Sequence, residues 1–263
     1  MKKTILPVAV ASAALMLLAS CGTTGTAAKS AASAEAAAPD AFLAELTGTY
    51  EELFPAWRAD EYADVWASAL EKYADVRVED AERVKDAFLS VYEAEVYGPE
   101  AEALAEADPS YFLFNCGFTG GVATLTFDGD TISGAAADGT EVFRHTYTYV
   151  ATVKADFGPK TDAYAAYLSE EDWPQFRIYE SDGPTDEFKY FALGGDTPAE
   201  TFHIEFRYGS DADALAHYFT GTYGYWMASG VFADCSDEMM TNVINLFAEE
   251  NADTIRAIAG TAE

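Results

Sequence analysis

The chain contains three histidines, His145, His203 and His217, against 45 acidic residues. Imidazole and carboxylate together suit zinc and related divalent cations, so a histidine placed beside an acid is the pattern to look for. His203 is the informative one. In Glu200-Thr201-Phe202-His203-Ile204-Glu205-Phe206 the polar and apolar residues alternate. An extended strand would carry Thr201, His203 and Glu205 on one face and Phe202, Ile204 and Phe206 on the other. His203 and Glu205, two positions apart, are then either half of a divalent-metal site or a hydrogen-bonded pair. His145 lies in an alternating run with Phe143, Tyr147 and Tyr149 on its own face and reads as a half-buried structural residue. His217, in Ala214-Leu215-Ala216-His217-Tyr218-Phe219, reads as surface or packing on a helix.

Other chemistries lack their motifs. The sequence has no P-loop, GxSxG, HExxH or CxxC pattern. The Gly-rich spot Gly117-Phe118-Thr119-Gly120-Gly121 lacks the Lys-Ser/Thr that phosphate binding requires and reads as a turn. Carboxylates are too abundant for paired ones to single out an active site, and no nucleophile stands beside a base, so the expectation is a protein that is not an enzyme. Haem held by a histidine has no specific signal. Cys116 and Cys235 are either a disulfide or two buried thiols, since spacing alone does not decide whether their Cα atoms approach.

The elements that would position His203 and Glu205 change character along the chain. Phe42, Leu43, Leu46, Tyr50, Leu53, Phe54 and Trp57 recur at three- and four-residue spacing, which predicts helix after a cap at Asp40. A second helical region is expected from about Glu61 to Glu95, with stripes at Tyr62, Val65, Trp66, Ala69 and Tyr73 and at Val84, Phe88, Val91, Tyr92 and Val96. After Asp108-Pro109 the period becomes two. Strands are expected at Tyr111–Phe118, Gly121–Phe127, Thr131–Ser133, Glu141–Lys154, Gln175–Glu180, Phe188–Ala192 and Thr201–Tyr208, separated by turns such as Asp128-Gly129 and Asp138-Gly139. Short antiparallel strands joined this way suggest a meander closed into a barrel. If Phe202, Ile204 and Phe206 face packed helices, the polar trio opens on the barrel interior or its mouth. A helix from about Ser210 to Thr220, the aromatic segment Tyr223-Gly224-Tyr225-Trp226 and a final helix begun by Ser236, with Asp237 and Glu238 in its first turn, complete the domain.

Of 263 residues, 15 are Lys or Arg and 45 are Asp or Glu, a formal net charge of −30, yet half are hydrophobic and 14% aromatic. Such a chain can bury a core, and its charge repels nucleic acid and bare anionic membrane, leaving cations, neutral ligands and proteins as partners. The same acid excess also serves simply to keep a protein soluble. Lys2 and Lys3, the apolar stretch Ile5–Leu18 and Leu18-Ala19-Ser20-Cys21 resemble a lipoprotein signal peptide ending in a lipobox. Residues 1–20 are then removed, Cys21 is lipidated, and the membrane is met through that anchor alone. All 45 acids remain on the exported part. Residues 21–40, rich in Ala, Ser and Thr, read as a flexible tether, and residues 41–263 as one domain. The expected location is extracytoplasmic: periplasm or cell surface.

The segment Ala199-Glu200-Thr201-Phe202-His203-Ile204-Glu205-Phe206-Arg207-Tyr208-Gly209-Ser210-Asp211 resembles the metal-site strand of the ZinT (YodA) family of extracytoplasmic zinc-binding proteins. Leu46-Thr47-Gly48-Thr49-Tyr50-Glu51-Glu52-Leu53-Phe54-Pro55 is similar to that family's opening motif, and Phe176–Glu180 and Phe188–Phe191 to its paired strands. The likeness spans about residues 45–255. It implies a β-rich α+β fold, a lipocalin- or calycin-like antiparallel barrel with helices on the N-terminal side and after the last strands. It also implies zinc or a related divalent cation as ligand, and a metal-transport component as partner. The family holds its metal with three histidines. Here one has no counterpart in Leu193-Gly194-Gly195-Asp196-Thr197, a second is replaced by Thr201, and the third is His203. One histidine does not bind zinc tightly, so low affinity is expected, with Glu205 as the nearest completing carboxylate. The other reading is a metal-free module that takes a small apolar ligand, or a surface partner, near Tyr223, Tyr225 and Trp226.

Overall fold

A computed structural model describes residues 40–94, 103–104, 107, 115–156, 174–195, 197–220 and 227–260. The expected signal peptide, Cys21, the expected tether up to residue 39, most of the expected Tyr111–Phe118 strand and Tyr223, Tyr225 and Trp226 lie outside them. Eight antiparallel strands close into one barrel in sequence order. They are β1 (Gly48–Glu52), β2 (Thr124–Asp128), β3 (Thr131–Ala135), β4 (Glu141–Lys154), β5 (Gln175–Ser181), β6 (Tyr190–Gly194), β7 (His203–Gly209) and β8 (Ala228–Phe232). The lipocalin-like closed barrel with packed helices is therefore the fold.

Strand by strand, the alternating runs expected from Gly121 to Tyr208 form β2 to β7, with Glu141–Lys154 reproduced to the residue. Two strands differ from expectation. The first predicted helix splits into α1 (Ala41–Glu45), β1 and α2 (Leu53–Trp57). Asp40 caps α1 as expected, its Oδ1 accepting from the Phe42 and Leu43 amides at 3.0 and 3.4 Å. Tyr50 meets both helical and alternating spacing, and Thr47-Gly48-Thr49 breaks the helix in favour of β1. β8, Ala-Ser-Gly-Val-Phe, carries too little β-branched or aromatic character to stand out, yet its first four residues are buried. β1 and β8 pair with each other, Tyr50 opposite Phe232 and Glu51 opposite Val231, and so close the barrel.

The expected helical region to Glu95 holds α3 (Ala63–Ala74) and α4 (Ala81–Leu89), which carry its first and second stripes. Asp75 ends α3 in the left-handed conformation, φ 56°. Between β6 and β7 lies α5 (Pro198–Thr201), and after β7 only a short α6 (Ala212–Leu215) with a 3-10 turn at Ala216–Tyr218 occupies the expected Ser210–Thr220 helix. The chain then forms α7 (Asp237–Glu250) and α8 (Ala252–Ala259). Ser236 caps α7 through its Oγ, which accepts from the Met239 amide at 3.2 Å. Among the described residues no helix is long and apolar enough to cross a membrane.

Two main cores result. All eight strands contribute to the barrel interior: Tyr50, Leu125, Ile132, Phe143, Tyr179, Phe191, Phe206 and Ala228 belong to one buried cluster. Rings fill it, with Phe143 stacked on Phe188 at 4.0 Å and Phe191 on Phe206 at 6.1 Å. Outside the wall, α2, α3, α4, α7 and α8 bury Trp57, Trp66, Phe88, Ile244 and Ile255 together with Val231 of β8. A smaller cluster, with Phe176, Leu215 and Phe219, lies beneath α6.

Candidate functional site

The alternation of β7 is real, but its faces are reversed from the expectation. Ile204 and Phe206 point into the barrel core, while the cross-strand partners of His203 and Glu205 are Val231 and Ser229. Val231 belongs to the helix-covered core, so His203 and Glu205 face outward, towards the helices. The interior is closed to them because aromatic rings already fill it. The expectation that the polar residues open into the barrel is corrected on this ground.

Thr201 leaves the polar row altogether. It ends α5, where its Oγ1 donates to the Thr197 and His203 carbonyls at 3.1 and 3.0 Å. The next residue, Phe202, takes a left-handed φ of 62°, uncommon for a side chain of this size. That one residue ends the helix, with its amide donating to the Pro198 carbonyl at 2.8 Å, and starts the strand. It also breaks the alternation: the Phe202 ring joins the helix-layer core, 6.3 Å from Trp57 and 4.7 Å from the His203 ring. Strain of this kind costs about 1–3 kcal/mol and often marks a functional position.

Consequently His203 is oriented from behind. Its Nδ1 lies 2.6 Å from the Thr201 carbonyl oxygen, which only accepts, so Nδ1 carries the proton and donates. In the neutral ring Nε2 then holds a lone pair, and it faces Glu205 Oε1 at 3.7 Å. That separation is too long for a hydrogen bond. Both side chains are about one-fifth exposed, so the pair is sheltered without being sealed.

Arg207, the next outward residue of β7, is buried. Its guanidinium donates to the Gly117 carbonyl at 2.9 Å, to Asn115 Oδ1 at 2.8 Å and to the Asn115 carbonyl. These bonds hold residues 115–117 against the barrel and set Cys116 beside the site. Burial pushes the Cys116 thiol up to about 12, with Arg207 opposing and Glu205 adding to the rise, so it stays a neutral thiol. Cys116 and Cys235 are both free, which decides for two thiols over a disulfide.

His203 and Glu205 form one wall of a cavity of about 290 Å³ between the barrel and the helices. The opposite wall is largely apolar, made by Phe54 and Trp57 of α2 and Leu246 and Phe247 of α7, with the Glu250 carboxylate at the end of α7 also lining the space. The sequence presents Phe54 and Trp57 as core stripe residues and does not single out Leu246 or Phe247, and nothing in the spacing signals a cavity. The Trp57 indole Nε1 is buried and has no hydrogen-bond partner among the described residues. Elsewhere, His145 pairs with Asp186 at 3.3 Å on β4 and packs beside Phe143, a structural role as expected. His217 falls in the turn after α6. Among the described residues no three of His, Cys, Asp and Glu converge on a metal position. The donor set therefore fits an open, two-ligand site and does not fit a closed zinc centre.

No protein-family model matches the chain, and no curated protein matches it. Among solved structures it is similar to the Zn(II)-bound ZinT-like domain of Streptococcus pneumoniae AdcA, at 12% identity and a TM-score of 0.47, over 80% of this chain and 93% of that one. It is also similar to Zn(II)-bound AdcA from Streptococcus pneumoniae, at 13% identity and a TM-score of 0.42, over 83% of this chain and 36% of that one.

Proposed function

We propose that the chain is an extracytoplasmic, lipid-anchored, non-enzymatic protein that takes up zinc or a related divalent cation at His203 and Glu205, in the service of metal acquisition or homeostasis. The observation that carries this reading is the placement of the His203 Nε2 and the Glu205 carboxylate on one face of β7, 3.7 Å apart. With the ring neutral, the Nε2 lone pair and the carboxylate repel, and a proton on Nε2 or a cation between the two relieves that repulsion. Tetrahedral zinc, with ligands at about 2.0–2.2 Å, holds its donor atoms about 3.4 Å apart, close to the spacing found here. The Thr201 carbonyl supplies the outer hydrogen bond that fixes the tautomer and ring orientation a metal-binding histidine needs. The lipobox-like Leu18-Ala19-Ser20-Cys21 and the acid excess of the exported residues support the location and the cationic cargo. With two protein ligands, the ion keeps exchangeable positions, which suits delivery to a transport component better than storage.

Isothermal titration of the chain from Gly22 onward with zinc tests the reading. Binding tighter than about 1 mM is expected, and His203→Ala should weaken it by at least tenfold, about 1.4 kcal/mol. Absence of binding at that level, or a variant with unchanged affinity, refutes it.

A further inference from the structure

We infer that the same cavity takes a small organic cation, an ammonium group carried on an apolar or aromatic body, independently of any metal. This goes beyond the metal reading, since it uses the cavity as a whole and requires no ligation by His203. The two walls repeat one pattern. On α7, Leu246, Phe247 and Glu250 stand three and four residues apart, so they share one helix face, and that face lines the cavity. On the barrel side, Phe202 at the entry of β7 and Glu205 within it line the same space. Each wall therefore presents one ring and one carboxylate. Both rings are half-buried, and Trp57 packs against both, its ring centroid 4.7 Å from that of Phe247 and 6.3 Å from that of Phe202. Lys and Arg are absent from the lining, and among the described residues neither carboxylate pairs with one.

A positive charge over an aromatic face is attracted by the ring quadrupole, and alkylammonium ligands are recognised in this way. The cavity of about 290 Å³ is near the small end of the range for small-molecule sites, about 300 Å³. A bare metal ion demands converging donors, and among the described residues no three of His, Cys, Asp and Glu converge. An organic cation makes no such demand, because its charge is spread and its attraction to carboxylates on separate walls is not directional. Leu246 points to the body of the ligand: it is 44% exposed beside the cavity, an apolar surface that a hydrated ion leaves wet and an apolar group covers. The Cys116 thiol of the lining stays neutral and does not oppose the two carboxylates. The net charge of −30 further raises the local concentration of cations over that of anions.

Benzyltrimethylammonium, whose charge is permanent, serves as the probe, with benzyl alcohol and benzoate as the neutral and anionic molecules built on the same ring. Each is titrated into the chain from Gly22 onward in metal-free buffer, following heat and tryptophan fluorescence. The ammonium is expected to bind with a Kd below about 1 mM, and the other two at least about tenfold more weakly. Glu205→Gln and Glu250→Gln should each weaken the ammonium by about fivefold. Glu250 is exposed at the last residue of α7, so its variant tests the charge with little risk to the fold, and circular dichroism checks both. His203→Ala should not weaken the ammonium. Equal binding of benzyl alcohol, unchanged ammonium affinity in both glutamate variants, or loss of the ammonium in His203→Ala overturns the inference. The two readings also fail separately. A chain that binds zinc and no ammonium refutes this inference and leaves the metal reading standing, whereas one that binds the ammonium and no zinc does the reverse; binding of neither refutes both.

Discussion

Glu52 shows how one carboxylate among 45 acquires a distinct role. It ends β1, and its Oε1 accepts from the Phe118 amide at 2.5 Å, holding the segment that carries Cys116. Burial raises its pKa above the ordinary 4.5; the Phe118 amide lowers it, the nearby Glu93 charge raises it and Arg207 lowers it, with a net rise. The folded chain therefore binds this proton more tightly than the unfolded chain. Stability is highest below 4.5 as far as this group is concerned, and is lost as pH climbs through the raised folded value. Glu52→Gln keeps an acceptor for Phe118 and removes the titration. Its unfolding free energy in urea should gain on that of the parent as pH rises from 4.5 to neutral, and equal shifts at both ends would disprove the assignment. At the same scale, the pairing of His203 with Glu205 was legible in the sequence, because a two-residue period fixes which side chains share a face. Which way that face points was not, since it depends on the rings filling the barrel. Nor was the cavity: Phe54 and Trp57 have the spacing of any core stripe, and only the packing of α7 over α2 leaves space beside them.

The elements that escaped the sequence reading are the two that close the barrel. β2 to β7 announce themselves by alternation and by tight turns, while β1 hides inside a helix-like spacing and β8 opens on three small residues, Ala228-Ser229-Gly230. Their junction depends on Gly48, whose φ of 152° lies where side chains are disfavoured and whose missing Cβ would come within 2.6 Å of Phe232 Cε1. Phe232 in turn stacks on Tyr50 at 4.6 Å. Gly48→Ala should destabilise by about 1–3 kcal/mol through backbone strain and displacement of that ring. Gly139→Ala is the matched control: its φ is also positive, 84°, but nothing lies within 4 Å of the added carbon. In urea melts the Gly48 variant should lose clearly more; equal losses would mean that the closing contact contributes nothing.

At the scale of the molecule, the site belongs to neither layer alone. The barrel supplies His203 and Glu205, and the helices supply the opposite wall, so removing the helices should cost the cavity even where the strands persist. The sequence shows this division of helices from strands in its change of period near Asp108-Pro109, but it does not show that residues 53–57 and 246–250 meet across β7. The pairing of β1 with β8 also sets a sequence of events in time. Gly48 through Glu52 leave the ribosome some 180 residues before the strand that covers their open edge. Until Phe232 has been made, β1 offers unpaired backbone groups to any other strand, and contacts of such long separation form slowly. A chain ended before Met227 should therefore remain soluble only at low concentration, and light scattering on refolding should rise with concentration far more steeply than for the full chain. Under the proposed export, the hazardous interval falls outside the cytoplasm, between the arrival of the first strand and the last.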